Sequence, residues 1–162
     1  MPKIFSFLFL IITFSFAKAE SVAITGRYKL YGAFVFDTQT KLTWARCSVG
    51  QKWLPSGKCK GSPKGYTFKA AQKLSNANWR VPTKSELDSL FFSSGLLIKI
   101  DTTVFPMNSK RKKLYWSSEQ VDESSAWYAD FNTGSTDRYY GDYDFLNEKF
   151  FVRLVQVNSI FK

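Results

Sequence analysis

Residues 78–87 read NWRVPTKSEL, and this stretch decides how the first half of the chain is organised. Pro82 closes the extended piece before it, because proline lacks the backbone donor that a ladder or an incoming helix would use. Thr83 can cap a new helix. Glu86, three residues later, completes a T-x-x-E capping box ahead of the apolar positions Leu87, Leu90 and Phe91. Upstream, YTFKAAQKLSNAN (66–78) places Phe68, Ala71 and Leu74 at helical spacing, and Asn76 to Asn78 suit a helix end. The spacing therefore predicts two helices separated by a tight WRVP link.

Working outward, RYKLYGAFVFD (27–37) concentrates Tyr, Leu, Phe and Val as a strand with one buried face does. A turn over 37–41 leads to LTWAR (42–46), which predicts a β-hairpin. Beyond Phe92 come Ser and Gly punctuation, then IDTTVFP (100–106), then the basic run Lys110, Arg111, Lys112, Lys113. Three strand-like pieces follow, LYWSSE (114–119), AWYADF (126–131) and FFVRLVQV (150–157), with a turn over 132–134 and a polar, Tyr-rich excursion before the last. There is no internal repeat and no linker. The expectation is one α+β domain over residues 20–162, an antiparallel sheet packed on two helices with long loops.

The chain has 162 residues, 44% hydrophobic and 22% charged, which is the composition of a globular domain. Histidine is absent. That excludes a catalytic triad with a His base, a His-ligated zinc site or haem, and a histidine pH switch. The first nineteen residues have the order of a secretory signal: Lys3, the apolar run IFSFLFLIITFSF, then Ala17, Lys18, Ala19 as an A-x-A site. Cleavage after Ala19 would remove Lys3 and Lys18 and no acidic residue, lowering the formal charge from +10 to +8. The alternative is an uncleaved anchor, although the run is short for spanning. No cysteine follows the site, so lipid attachment is not expected. Export to the periplasm, the cell surface or the medium is the reading.

Export bears on Cys47 and Cys59, which bracket the loop SVGQKWLPSGK. In an oxidising compartment a disulfide is the expected state, stabilising the fold by roughly 3 kcal/mol on the chain-entropy model. The alternative is a reactive thiol, for which only nearby lysines would lower the pKa.

The ordered blocks FDTQTKLTWARCSVGQKW, CKG, NWRVPTKSEL, IDTTVFP, YWSSE, AWYADFNTG and FVRLVQV resemble the C-terminal domain family of the Legionella collagen-like protein. The resemblance runs roughly from Gly26 to Val157. It implies a C-type-lectin-like fold, related to that of formylglycine-generating enzymes, and a surface adhesin that binds sulfated polysaccharides. Three departures matter. No collagen-like repeat occurs in these residues, so clustering by trimerisation is not implied here. Leu154 stands after Val152 and Arg153 where many members carry a cysteine. The E-P-N, Q-P-D and W-N-D motifs of calcium-dependent lectins are missing, so calcium-mediated sugar binding is not implied.

Four adjacent cations at Lys110 to Lys113 attract sulfate, phosphate or carboxylate groups by summed potential, with Arg111 able to bind in bidentate fashion. The plain alternative is a solvated loop. A second basic zone spans Lys52, Lys58, Lys60, Lys64, Lys69 and Lys73. Trp44, Trp79, Trp116 and Trp127 are expected in the core, and Trp53, inside the cysteine loop, is expected to be partly exposed. Tyr139, Tyr140 and Tyr143 among Asp137, Asp142 and Asp144 form another candidate contact surface, whose carboxylates could instead hold a structural cation, although their spacing matches no known calcium loop. Asp101, Asp130, Glu86 and Glu119 are the carboxylates an enzyme reading would use, but capping and loop hydrogen bonds account for them. Arg80 and Arg153 stand among apolar residues, so each needs carboxylates or carbonyls, with Asp101 and Glu86 as candidate partners.

The sequence thus predicts an exported, non-catalytic binding module without cofactor or metal. Its ligand contacts are expected at Lys110, Arg111, Lys112, Lys113, Lys58, Lys60 and Trp53, on an anionic polysaccharide. The competing expectation is a cell-envelope or surface domain that docks a partner protein. Nucleic acid is not expected as the biological ligand of an exported chain, and oligomeric state is left open.

Overall fold

The computed structural model describes residues 23–107, 113–140 and 147–158. The signal-like segment, Lys110 to Lys112, and Asp142 to Asp144 lie outside the described residues. A six-stranded sheet begins with a meander of β1 (Ala23–Thr25), β2 (Tyr28–Tyr31), β3 (Phe34–Asp37) and β4 (Thr43–Ala45). It continues through β13 (Val155–Gln156) to β7 (Trp79–Arg80). A separate three-stranded meander is built from β10 (Leu114–Asp122), β11 (Ser125–Asp130) and β12 (Ser135–Tyr140). Two small hairpins, β5–β6 (Lys52–Leu54, Lys58–Lys60) and β8–β9 (Phe91–Ser94, Leu97–Ile100), complete the strands. The helices are α1 (Phe68–Gln72) and α2 (Lys84–Asp88), five residues each, so strands outweigh helices more than expected.

The capping box forms as read. Thr83 Oγ1 accepts from Glu86 N (3.2 Å), and Glu86 Oε2 accepts from Thr83 N (2.8 Å), which satisfies two of the backbone donors that α2 would otherwise leave free. Glu86 also takes a bidentate pair from Arg80 (2.7 and 2.6 Å). The WRVP link is thereby tied to the start of α2. Thr67 caps α1 with a single bond, its Oγ1 accepting from Ala70 N (3.3 Å).

The three-stranded sheet is packed on both faces, because successive residues of a strand point to opposite sides. Tyr115 and Ala129 face a cluster with Trp44, Leu87, Leu90, Phe105 and Phe131. Trp116 and Ala126 face another with Phe68, Ala71, Val81, Phe150 and Val152. Tyr115 stacks on Phe131 (ring centroids 4.2 Å apart) and Trp116 on Phe150 (4.2 Å). Aromatic side chains make up a large part of both clusters.

Several expectations change. RYKLYGAFVFD is two strands, not one, because Gly32 takes a positive φ (55°) and turns the chain so that Tyr31 pairs with Phe34. STDRYY (135–140), read as part of a loop, is β12 and lies beside β11, where Trp127 is opposite Arg138. FFVRLVQV is a strand only over Val155–Gln156. Elsewhere it threads between elements, bonding Tyr66, Trp116, Val49 and Ala45 in turn, since with Phe150, Val152, Arg153 and Val155 buried it has partners on more than one side.

Arg153 finds neither Asp101 nor Glu86. Fully buried, it donates from Nη1 to Ala45 O (3.0 Å) and to Arg46 O, and from Nη2 to Ser48 Oγ (3.4 Å), with Phe105 and Tyr115 rings 5.1 and 5.7 Å from the guanidinium carbon. Burial pushes its pKa down from the ordinary arginine value. Asp37 is also fully buried and accepts from Arg27, from Thr40 Oγ1 (2.8 Å) and from Gln39 N (3.0 Å).

Burial acts to raise the pKa of Glu86 and of Asp37, but their arginine partners and the local hydroxyl and backbone donors outweigh it and hold both carboxyls below their usual values. A depressed folded pKa contributes stability that is complete above the unfolded value, 4.5 for Glu86 and 3.8 for Asp37, and is lost as pH falls through the folded one. Urea midpoints should therefore fall as pH drops below that range. In Arg80→Ala the neutral-pH stability should be lower by about 1 kcal/mol and the acid slope shallower. An unchanged midpoint and slope would remove the Arg80–Glu86 pair from this account.

Candidate functional site

Of the sequence-predicted binding regions, the cysteine loop lies wholly within the described residues. Cys47 and Cys59 form a disulfide, with Cα atoms 5.6 Å apart. Between them β5 and β6 pair in the register Lys52↔Lys60, Trp53↔Cys59, Leu54↔Lys58. Residues directly opposite share a face, so Lys52, Leu54, Lys58 and Lys60 lie on one side of the hairpin and Trp53 and Cys59 on the other. The three lysines are exposed and, among the described residues, none is ion-paired. Lys52 and Lys60 are like charges placed directly opposite one another. That arrangement costs stability on its own and is relieved by an anion between them.

Trp53 is half-buried, as expected, but it does not join the lysines. Its ring lies over Arg46, 4.1 Å from the guanidinium carbon. Arg46 is itself buried, and its donors go to main-chain oxygens: Nε to Val104 (2.9 Å), Nη1 to Gly32 (3.0 Å) and Nη2 to Thr103 (3.0 Å). Desolvation, and then the charge of Arg153, push its pKa down. The sequence reading singled out Arg80 and Arg153 and passed over Arg46; its place in the apolar string LTWAR was the available signal.

A cavity of about 270 Å³ beside the disulfide is lined by Gln51, Lys58, Cys59, Gly61, Pro106 and Met107. In the sequence Met107 is three residues before Lys110, the start of the basic run. Lys113, at the far end of the run, is half-buried and precedes β10, its carbonyl accepting from Phe131 N (2.9 Å). Lys64, Lys69 and Lys73 are exposed.

The other candidates divide. Trp44 and Trp116 are fully buried, whereas Trp79 and Trp127 are half-buried. Trp79 packs on Phe34 (5.2 Å) and Trp127 lies near Lys84 (5.0 Å) and Arg138 (5.7 Å). Tyr139 packs against Trp116 and Phe150, and Tyr140 is 69% exposed. Glu119 accepts from Lys84 N, Asp101 from Thr103 N (2.9 Å), and Asp130 from Asn132 N (2.8 Å). Among the described residues no group of three or more Asp, Glu, Cys or His side chains is placed to hold a metal ion.

A family model described as the Lcl C-terminal domain matches residues 33–156. The chain belongs to the Lcl C-terminal domain family. Comparison with curated proteins and with solved structures gives no match. In this Lcl C-terminal domain no helix among the described residues is long and apolar enough to cross a membrane.

Replacing Cys47 and Cys59 together by Ser should lower the unfolding free energy by about 3 kcal/mol, measured by urea titration of the oxidised protein and the variant. A loss below about 1 kcal/mol would mean that the Arg46–Trp53 stack, not the cross-link, orders the hairpin.

Proposed function

We propose that this Lcl C-terminal domain, folded in the C-type-lectin-like manner its family resemblance implies, is an exported, non-catalytic binding module. Its ligand is an anionic, sulfated polysaccharide, held without calcium in an adhesive role. The observation that carries this reading is the hairpin face of Lys52, Lys58 and Lys60, pinned by the disulfide and adjoining the chain that runs into Lys110, Arg111, Lys112 and Lys113. A rigid row of cations suits a polymer with repeating charges, because each contact is weak in water and several act together. Trp53 supports the site from behind by fixing Arg46 rather than by stacking on a sugar ring.

The competing reading is a cell-envelope domain that docks a partner protein. It predicts binding that tolerates salt and shows no preference for sulfated glycans.

Retention of the oxidised protein on heparin, set against a cation exchanger of similar charge density, separates the two. Elution from heparin at clearly higher salt is expected. Changing Lys52, Lys58 and Lys60 to Ser, or Lys110, Arg111, Lys112 and Lys113 to Ser, should each lower that salt concentration without lowering the thermal midpoint. Equal elution from both resins would make the charge generic and favour the partner-protein reading.

A further inference from the structure

The β8–β9 hairpin has two unlike faces. Its register pairs Phe91 with Ile100, Phe92 with Lys99, Ser93 with Ile98 and Ser94 with Leu97 around a two-residue turn, Gly95 and Leu96. On the inward face Ile100 is buried and Phe91 packs edge-on against Phe131 (5.5 Å). Ile98 presses on the β11–β12 turn at Gly134, where a Cβ would come within 2.6 Å of Ile98 Cγ2 and 2.8 Å of its carbonyl oxygen. Only glycine fits there, and at φ 71° only glycine is unstrained. The hairpin is therefore gripped at its base.

The outward side and the tip are apolar. Leu96 is fully exposed, Leu97 58% and Phe92 45%, with the exposed Lys99 directly opposite Phe92; Ile98, on the inward face, is still 49% exposed beside the tip. Scattered surface leucines need no account, but four large apolar side chains gathered on one hairpin do. A second copy of the chain is a poor fit, since a stable protein interface engages about 20–30 residues a side and this patch is a convex turn. A bilayer interface asks for what is present: a few apolar side chains for shallow insertion and positive charge to meet anionic headgroups. The chain carries a formal +10, and the Lys99 stem can follow Phe92 while its ammonium stays at headgroup level.

We propose that the β8–β9 hairpin is a membrane-surface anchor that inserts Leu96 and Leu97 into the interface of an anionic bilayer, with Lys99, on the same face as Leu97, at the phosphates. It is independent of the lysine face of the β5–β6 hairpin, so glycan retention and membrane association are separable.

The test is sedimentation of the mature chain, with its N-terminus as the cell leaves it, with vesicles of phosphatidylglycerol and phosphatidylcholine in equal parts or of phosphatidylcholine alone. A variant carrying Leu96→Ser and Leu97→Ser keeps the charge and alters only exposed side chains, so its thermal midpoint should be unchanged. Both proteins share one N-terminus, which leaves the difference between them to the hairpin. The expected result is binding to the anionic vesicles at physiological ionic strength that weakens about ten-fold or more in the variant. In Leu96→Trp the added fluorescence should be quenched by lipids brominated near the headgroup end of the acyl chain. Equal partitioning of wild type and variant, or binding by neither, would overturn the proposal. So would a concentration-dependent dimer that the variant abolishes, which would assign the patch to a second copy.

Discussion

A fully buried guanidinium that, among the described residues, is held by carbonyls and a hydroxyl rather than by a carboxylate is the constraint on which the rest of the structure depends. Arg153 is tolerated only because the carbonyls of Ala45 and Arg46 and the hydroxyl of Ser48 converge on it, with Phe105 and Tyr115 covering its faces. Those groups come from the end of β4, the start of the cysteine loop, the turn after β9 and the start of β10. Assembling them is nearly equivalent to assembling the fold. Arg46 repeats the device one layer out, bridging the oxygens of Gly32, Thr103 and Val104 while its own carbonyl serves Arg153. Ser48 completes the link by sharing a hydrogen bond with Tyr115 (2.8 Å).

The segment that carries Arg153 explains why two clusters of apolar residues behave as one structure. Phe150 and Val152 belong to the cluster on one face of the three-stranded sheet, and Val155 to the cluster on the other. Its main chain bonds Tyr66, Trp116, Val49, Ala45 and Asn78 in succession. With the interior committed in this way, the two small hairpins are left at the outside with their polar or apolar faces free. The β5–β6 hairpin offers lysines and the β8–β9 hairpin offers Leu96 and Leu97. Binding in this reading is a property of surface hairpins held by a rigid scaffold.

What could be read from the sequence followed from local rules. The capping box at Thr83 and Glu86, the helical spacing of α1, the disulfide and the burial of Trp44 and Trp116 depend on residues near in sequence or on plain hydrophobicity. The missing parts depended on long-range placement. Nothing local shows that FFVRLVQV will bond a succession of different partners, or that Leu97 to Ile100 will be a strand with Leu97 turned outward and Ile100 buried. The lysines were legible as a basic zone, but which of them share a face follows only from the β5–β6 register. That register also turns Trp53 away from them toward Arg46, whose burial the sequence did not announce.

The most direct test of this account is native-state hydrogen exchange at the amides of Ala45, Val49, Tyr66 and Trp116, which donate to Leu154, Val152, Phe150 and Phe151. If the Arg153 segment locks the fold, all four open only with global unfolding, and their exchange free energies converge on one value across a denaturant series. Exchange at Ala45 and Val49 through a much cheaper opening, while Trp116 and the three-stranded sheet stay protected, would contradict it and make the segment a detachable edge.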